Sequence, residues 1–350
     1  MKVTKINGLG SFGHYIDDVN FNNMPEDQVK EISNIHLKGL VTVFRNINLP
    51  RDSYRAWIGR IGVVRFNHTI NWVKKYQVSS MQDIMTLYQQ GRLDRNDAYM
   101  FESRNLAVEK TGSGDIYRVS GERDAEGNLL GTFGVGDVGW HSNESSQLNF
   151  TPGVSLMGYQ AMRESATSFA QTADFYQQLS ESMRSEFDQM VVVYKHQIGQ
   201  LNQLELEDST FALRVQNNMC PVDGSEVPLV VTSPGGIRGI HYPKHNMWKI
   251  KGLTEEESQK IFRLIEDNVF AEQNVYDHWY QQDNDLLLFD NSITAHRRIG
   301  SMHSRLAYRL QFDYIGTDDW CPYKDSYYAE QWHQNNQIMR HINKQAVRTK

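Results

Sequence analysis

Two clusters of residues carry the types and spacing of a chemical site. Trp140-His141-Ser142-Asn143 stands near the middle of the chain, and Phe289-Asp290-Asn291 leads to His296, with Arg305 and Arg309 close behind. Two histidines separated by most of a domain, the second followed by arginines on a strand-like run, are the donor set of a non-haem iron site that takes an anionic co-substrate. Imidazole nitrogens hold the metal, and a planar guanidinium grips a carboxylate through two parallel hydrogen bonds. Such a site ordinarily has a carboxylate two residues after the first histidine. This chain has Asn143 there.

In an extended segment side chains alternate, so His141 and Asn143 face one side while Ser142 and Glu144 face the other, which makes His-x-Asx a two-pronged metal clip. Alone the tripeptide is a weak signal, since a polar loop histidine is its ordinary reading. Asp285 to Arg309 supplies the second clip: an apolar strand Leu286 to Phe289, a polar turn at Asp290-Asn291, His296, then a new strand bearing Arg305 and Arg309 on one face. The arginines could be outward-facing strand charges; His296 upstream favours the site. His36, His68, His196, His241, His245, His278 and His303 read as surface or core residues, with His241 and His245 as candidate pocket liners. Trp140 reads as packing beneath the first clip, and Asp290 and Asn291 as holding the turn before His296.

The elements that must position these residues follow from periodicity. A polar helix starts near Pro25, Gly39 to Phe44 is a short buried strand, and Pro50 to Gly62 is a helix whose Tyr54, Trp57, Ile58 and Ile61 pack against that strand. The glycine-dense stretch from Leu106 to Trp140 suits hairpins and loops at the mouth of a β structure. Phe150 to Met162 reads as a strand. Thr172 to Gly199 reads as helical, with Phe175, Leu179, Met183, Phe187 and Met190 on one face. Thr254 with Glu257 is a capping box ahead of Ile261, Leu264 and Ile265, and strands resume at Leu286 to Phe289 and Arg305 to Tyr314. Without sustained strand–helix alternation, the order favours a mainly β fold with helical decorations, a sandwich or jelly roll, over a doubly wound sheet.

Composition narrows the class. The chain has 350 residues, is 39% hydrophobic and 11% aromatic, and can bury a substantial core as one domain. A net charge of -6 and a pI of about 6.1 disfavour general nucleic-acid binding. Cys220 and Cys321 lie far apart without metal-like spacing, which argues against a disulfide framework and for a reducing compartment. No signal segment and no membrane-spanning apolar run is visible, so the expectation is a soluble, cytoplasmic protein.

At this point the distal motif resembles that of the TauD/TfdA family of iron(II)- and 2-oxoglutarate-dependent dioxygenases: Trp/Phe-Asp-Asn, a few residues, His, then Arg-x-x-x-Arg. The stretch Leu37 to Arg45 with the helix ending Arg60-Ile61-Gly62, Thr151-Pro152-Gly153, Gly252-Leu253-Thr254 and His278-Trp279 are similar to further family segments. The resemblance covers roughly residues 36–315, leaving 1–35 and 316–350 as N- and C-terminal extensions. It implies a double-stranded β-helix (jelly roll). It also implies His141 and His296 as Fe(II) ligands with Asn143 at the aspartate position, Thr167 and Arg305 as the residues that hold 2-oxoglutarate, and Arg309 near metal and substrate as a catalytic residue.

Asn143 keeps the size of the missing carboxylate and loses its charge, so iron affinity should fall while geometry could survive. Four outcomes stay open: ligation through the amide oxygen or a water; replacement by chloride, as in related halogenases that carry glycine or alanine there; a carboxylate from Glu144; or a weak site on a non-catalytic binding protein. A disabling aspartate-to-asparagine change would leave the same residue. The expectation is an oxygenase hydroxylating an aliphatic C–H bond of a small-molecule substrate, with a 2-oxoglutarate-dependent halogenase or a non-catalytic binding protein as alternatives. Substrate identity and homo-oligomerisation stay open.

Overall fold

The structure is a computed structural model and describes residues 1–47, 49–64, 72, 75–78, 81–95, 97–98, 116–127, 131, 133–134, 137–143, 150–195, 224–301, 305–317, 319–323, 327–330 and 332–334. The chain opens with β1 (Lys2–Lys5), β2 (His14–Asp17), α1 (Glu26–Gly39), β3 (Val41–Phe44), α2 (Arg51–Ile61), β4 (Gly62–Val64) and α3 (Met81–Gln89). The middle holds β5 (Tyr117–Ser120), β6 (Val138–His141), β7 (Gly153–Gln160), β8 (Ser165–Gln171), α4 (Ala173–Gln178), α5 (Glu181–Gln189) and β9 (Val191–Tyr194). Then follow β10 (Glu226–Pro228), β11 (Val230–Thr232), β12 (Arg238–Ile240), β13 (Met247–Ile250) and α6 (Glu255–Val269). The distal part is β14 (Tyr276–Trp279), β15 (Leu286–Asp290), β16 (Thr294–Gly300) and β17 (Leu306–Tyr314).

An eight-stranded sheet runs β1-β2-β3-β15-β7-β17-β4, with β5 also on β17, and a four-stranded sheet runs β14-β8-β16-β6. Between them lies an apolar layer in which Val41, Val43, Val154, Leu156, Leu287 and Phe289 meet Phe169, whose ring centroid is 5.1 Å from that of Phe289. On the outer face of the large sheet, α1 presents Val29, Ile32 and His36 at helical spacing, and α2 presents Tyr54, Trp57, Ile58 and Ile61, all buried. Gly153 of β7 lies opposite Phe312 of β17; a Cβ there would stand 2.6 Å from the Phe312 ring, so only glycine admits the ring.

The expected jelly roll is corrected. Among the described residues the strands fall into separate open sheets, two more being β10-β9-β13 and β11-β12, and no ladder joins the large sheet to the four-stranded one. With α1, α2 and α6 packed on them the arrangement is mixed α/β, not a closed double-stranded β-helix. Periodicity identifies strands but carries no information about which edges close. The long helix expected over Thr172 to Gly199 is also corrected. It breaks at Leu179, Ser180 caps a second helix by accepting from the Met183 amide at 3.3 Å, and the β-branched run Val191–Val193 pairs as a strand. No helix of the described residues is long and apolar enough to cross a membrane.

Candidate metal and anion site

β6 and β16 pair antiparallel with His141 directly opposite His296, which puts both imidazoles on one face of the small sheet. Their ring centroids are 4.1 Å apart. His141 Nδ1 lies 2.8 Å from the Gly139 carbonyl, which only accepts; Nδ1 therefore carries the hydrogen, and in the neutral ring Nε2 has the lone pair, the usual tautomer of a metal-binding imidazole. His296 is 7% exposed, packs on Phe289 with centroids 4.6 Å apart, and has a buried Nδ1 with no hydrogen-bond partner. Burial, then the nearby His141 and Arg309, hold its pKa well below the ordinary value, so it is neutral at physiological pH.

β6 ends at His141, and Asn143 stands in a turn, so strand alternation does not orient it. Asn291 does. Its Oδ1 accepts from the Asn143 amide at 2.7 Å, while its Nδ2 donates to the Asn143 carbonyl at 2.7 Å and to the Thr151 carbonyl at 2.9 Å. Asp290 shapes the turn itself, its Oδ1 accepting from the amides of Ser292 and Ile293, each at 2.9 Å. The Asp-Asn pair thus both builds the distal turn and ties the proximal motif to it across the chain. Asn143 Oδ1 accepts from Arg309 Nη1 at 3.0 Å, and its Nδ2 is buried without a partner.

A second row of side chains runs across the same sheet face. Two residues before or after the first row on each strand, Arg298, Thr167 and His278 are in direct register, roughly 6–7 Å along the strands from the histidine row. Thr167 Oγ1 is 3.0 Å from the Tyr280 hydroxyl, and the Arg305 guanidinium carbon sits 5.7 Å from the Tyr280 ring centroid. Arg305 is 1% exposed, and burial lowers its pKa. Burial, then the charge of Arg305, brings Arg298 down to about 9. The empty space in the cleft over both rows, open solvent included, is about 450 Å³. Among the described residues its lining includes four arginines and no carboxylate.

The structure therefore gathers His141, Asn143, Thr167, His296, Arg305 and Arg309 around one cleft, from the facing sheets and the turn after β6. Sequence reasoning missed Arg298, Tyr280 and the reach of Asn291. The first two follow from alternation, at His296 plus two and His278 plus two, once Thr294–Gly300 is recognised as a strand. Trp140 stacks on Phe270 at 4.8 Å with the Arg297 guanidinium 4.7 Å above it, so that side chain is engaged with Trp140 although Arg297 also borders the cleft. His241 lies away from the cleft, stacked on Phe150 at 4.7 Å with Nδ1 bonded to the Ser292 carbonyl at 2.7 Å. His278 is a buried partner of Asp285 at 2.9 Å. His68, Glu144, His196, Cys220, His303 and the His245 side chain lie outside the described residues.

Two inward-facing imidazoles, that of His296 held neutral by burial, fit a divalent first-row metal. The third position supplies a neutral amide whose oxygen Arg309 already engages, and among the described residues no three of His, Cys, Asp and Glu converge.

Comparison with known proteins gives the family. The model of the taurine catabolism dioxygenase TauD, TfdA family matches residues 5–311, and the chain belongs to that family. A crystal structure of a taurine dioxygenase from Burkholderia xenovorans superposes with a TM-score of 0.59 at 18% identity, covering 89% of this chain and 88% of that one. A crystal structure of AAD-2 in complex with Mn(II) and N-oxalylglycine superposes with a TM-score of 0.62 at 18% identity, covering 90% and 98%. At these identities the likeness is one of fold. No curated protein matches the chain.

Proposed function

We propose that the chain is an iron(II)- and 2-oxoglutarate-dependent oxygenase that hydroxylates an aliphatic C–H bond of a small substrate. The observation that carries this reading is the register of His141 against His296, with buried Arg305 and Thr167 one row away. His141 and His296 would hold the metal, at which dioxygen would be the oxidant and 2-oxoglutarate the co-reductant that leaves as succinate and carbon dioxide. Arg305 and Thr167 bind and orient the co-substrate's distal carboxylate by charge-assisted hydrogen bonds. Leu156, Val119 and Phe289 form the apolar wall that keeps water from the reacting groups. Arg309 holds the Asn143 side chain beside the histidines.

The Arg309–Asn143 bond also favours a second reading. An amide whose oxygen is engaged brings no negative charge to the third position, which an exogenous anion such as chloride would then complete, as in halogenation. Anaerobic titration of Fe(II) and 2-oxoglutarate, followed by assay of succinate with and without chloride, separates the possibilities. Succinate without chloride is the result expected of the oxygenase, and succinate only with chloride that of the halogenase. Binding of neither iron nor 2-oxoglutarate would overturn both and leave a binding protein on this scaffold.

A further inference from the structure

Among the described residues no strand ladder joins the two sheets that face each other across the cleft, but at the β14 edge a chain of four polar side chains does. Tyr276 and His278 stand two apart on β14 and project from one face, and His278 is in register with Thr167 of β8. His278 Nε2 lies 2.9 Å from Asp285 Oδ2, and Asp285 Oδ1 accepts at 2.7 Å from the amide of Asn46, just past β3 of the large sheet. His278 Nδ1 lies 2.8 Å from the Tyr276 hydroxyl, which is 2.7 Å from that of Tyr15 on β2, also of the large sheet. His278 and Asp285 are both buried.

The hydrogens of this chain run one way. A carboxylate only accepts, so His278 Nε2 carries a hydrogen; in the neutral ring Nδ1 then takes that of Tyr276, and the Tyr276 oxygen takes that of Tyr15. The imidazole is therefore fixed at both nitrogens. Its ring meets that of Tyr280 edge to face, with planes 82° apart and centroids at 4.8 Å. Tyr280 in turn places its hydroxyl 3.0 Å from Thr167, which lines the cleft. Neither His278 nor Tyr276 lines the cleft, so any effect they have on a ligand passes through Tyr280 and Thr167.

We propose that His278 is a positioning residue of the cleft: clasped between Asp285 and the Tyr276–Tyr15 pair, it braces the Tyr280 ring and so sets the place of Thr167's partner, making strand β2 part of what fixes ligand affinity. The proposal rests on the reading of the cleft as a 2-oxo-acid site. It assigns His278 no contact with metal or co-substrate. The clasp needs a donor towards Asp285 and an acceptor towards Tyr276, and it does not need a charge on His278.

The test is calorimetry on the full chain, first with Mn(II) alone and then with 2-oxoglutarate on the Mn(II)-loaded protein, comparing native with His278→Leu, His278→Gln, Tyr276→Phe and Tyr54→Phe. Glutamine can donate to Asp285 and accept from Tyr276, whereas leucine can do neither. Tyr54→Phe deletes a buried hydroxyl 2.7 Å from Ser155 Oγ on the outer face of the large sheet, and controls for lost stability. Expected is a loss of 2-oxoglutarate affinity of at least about fivefold in His278→Leu and about threefold in Tyr276→Phe, with His278→Gln within about twofold of native. Mn(II) affinity stays native throughout, and Tyr54→Phe keeps native affinity for both. Tyr276→Phe removes one oxygen and no other volume, so it carries the test should the leucine form not fold. Native 2-oxoglutarate affinity in Tyr276→Phe, a glutamine form no better than leucine, or an equal loss in Tyr54→Phe overturns the proposal and leaves the oxygenase reading in place. No 2-oxoglutarate binding by the native chain overturns that reading and this proposal with it.

Discussion

Arg309 donates to the side-chain oxygen of Asn143 at 3.0 Å, and because a guanidinium has no acceptor this bond decides which end of the amide meets Arg309. The other end is Nδ2, a donor without a lone pair for a metal, buried and unpartnered. Asn143→Asp gives position 143 two equivalent oxygens, one to keep Arg309 and one to offer a cation. On the proposed reading the variant binds Fe(II) or Mn(II) at least about tenfold more tightly and forms succinate faster; if halogenation is the native reaction, it loses chloride dependence instead. Metal titration and succinate assay of both forms check this, and no gain in metal affinity would place residue 143 outside the metal's reach.

Arg305→Ala should cost 2-oxoglutarate binding about 2–5 kcal/mol, the loss expected when one partner of a buried charge pair is truncated. Arg305 carries no side-chain role in the apolar layers, so the fold should persist. Tyr280→Phe removes the hydroxyl that meets Thr167 at 3.0 Å and should weaken binding by about 0.5–1.5 kcal/mol. Calorimetry with 2-oxoglutarate reads both; full affinity in the Arg305 variant would remove it from the anion site.

Legibility in the sequence followed the range of the forces involved. The unit from α1 through β3 to α2 was readable because its apolar residues repeat at helical and strand spacing within a short span, and α6 because Thr254 and Glu257 form their capping box locally. Thr172 to Gly199 was misread because the apolar positions of two helices happen to stay in phase across the break at Leu179. β16 was not recognised: Thr294–Gly300 is polar because its inner face lines the cleft, so its function erased its strand pattern. The openness of the sheets, the Asn291 clamp and the convergence of Arg298 on Thr167 depend on contacts more than a hundred residues apart and leave no local trace.

His36 gives the protein a pH-dependent element far from the cleft. It is buried between the Thr42 hydroxyl at 3.1 Å and the Tyr314 hydroxyl at 2.8 Å, and burial, then the charge of His14, holds its pKa down to about 3. In the unfolded chain it titrates near about 6.5. Between these values the unfolded state binds the extra proton, so this contribution is complete above about pH 6.5 and is lost as pH falls from there towards 3, at up to about 1.4 kcal/mol per pH unit. His36→Gln should therefore show a shallower fall in denaturant-derived stability between about pH 6.5 and 4.5. Identical slopes in the two forms would mean that His36 does not carry the linkage.

Asn291 offers the most direct test of how the two motifs are joined. Its side chain is 0% exposed and satisfies the Asn143 amide, the Asn143 carbonyl and the Thr151 carbonyl. Asn291→Ala strands those three buried backbone groups, each costing about 1–3 kcal/mol where water cannot reach it, so apo stability should fall by several kcal/mol. Because Asn143 follows His141 by two residues, slackening the turn also frees the end of β6 from its register against β16, and metal affinity should fall together with stability. Denaturation without metal reads the first effect, and Mn(II) titration under conditions where the variant remains folded reads the second. Lost stability with native metal affinity would mean that the clamp serves the fold alone and that the β6–β16 ladder holds the two imidazoles without it.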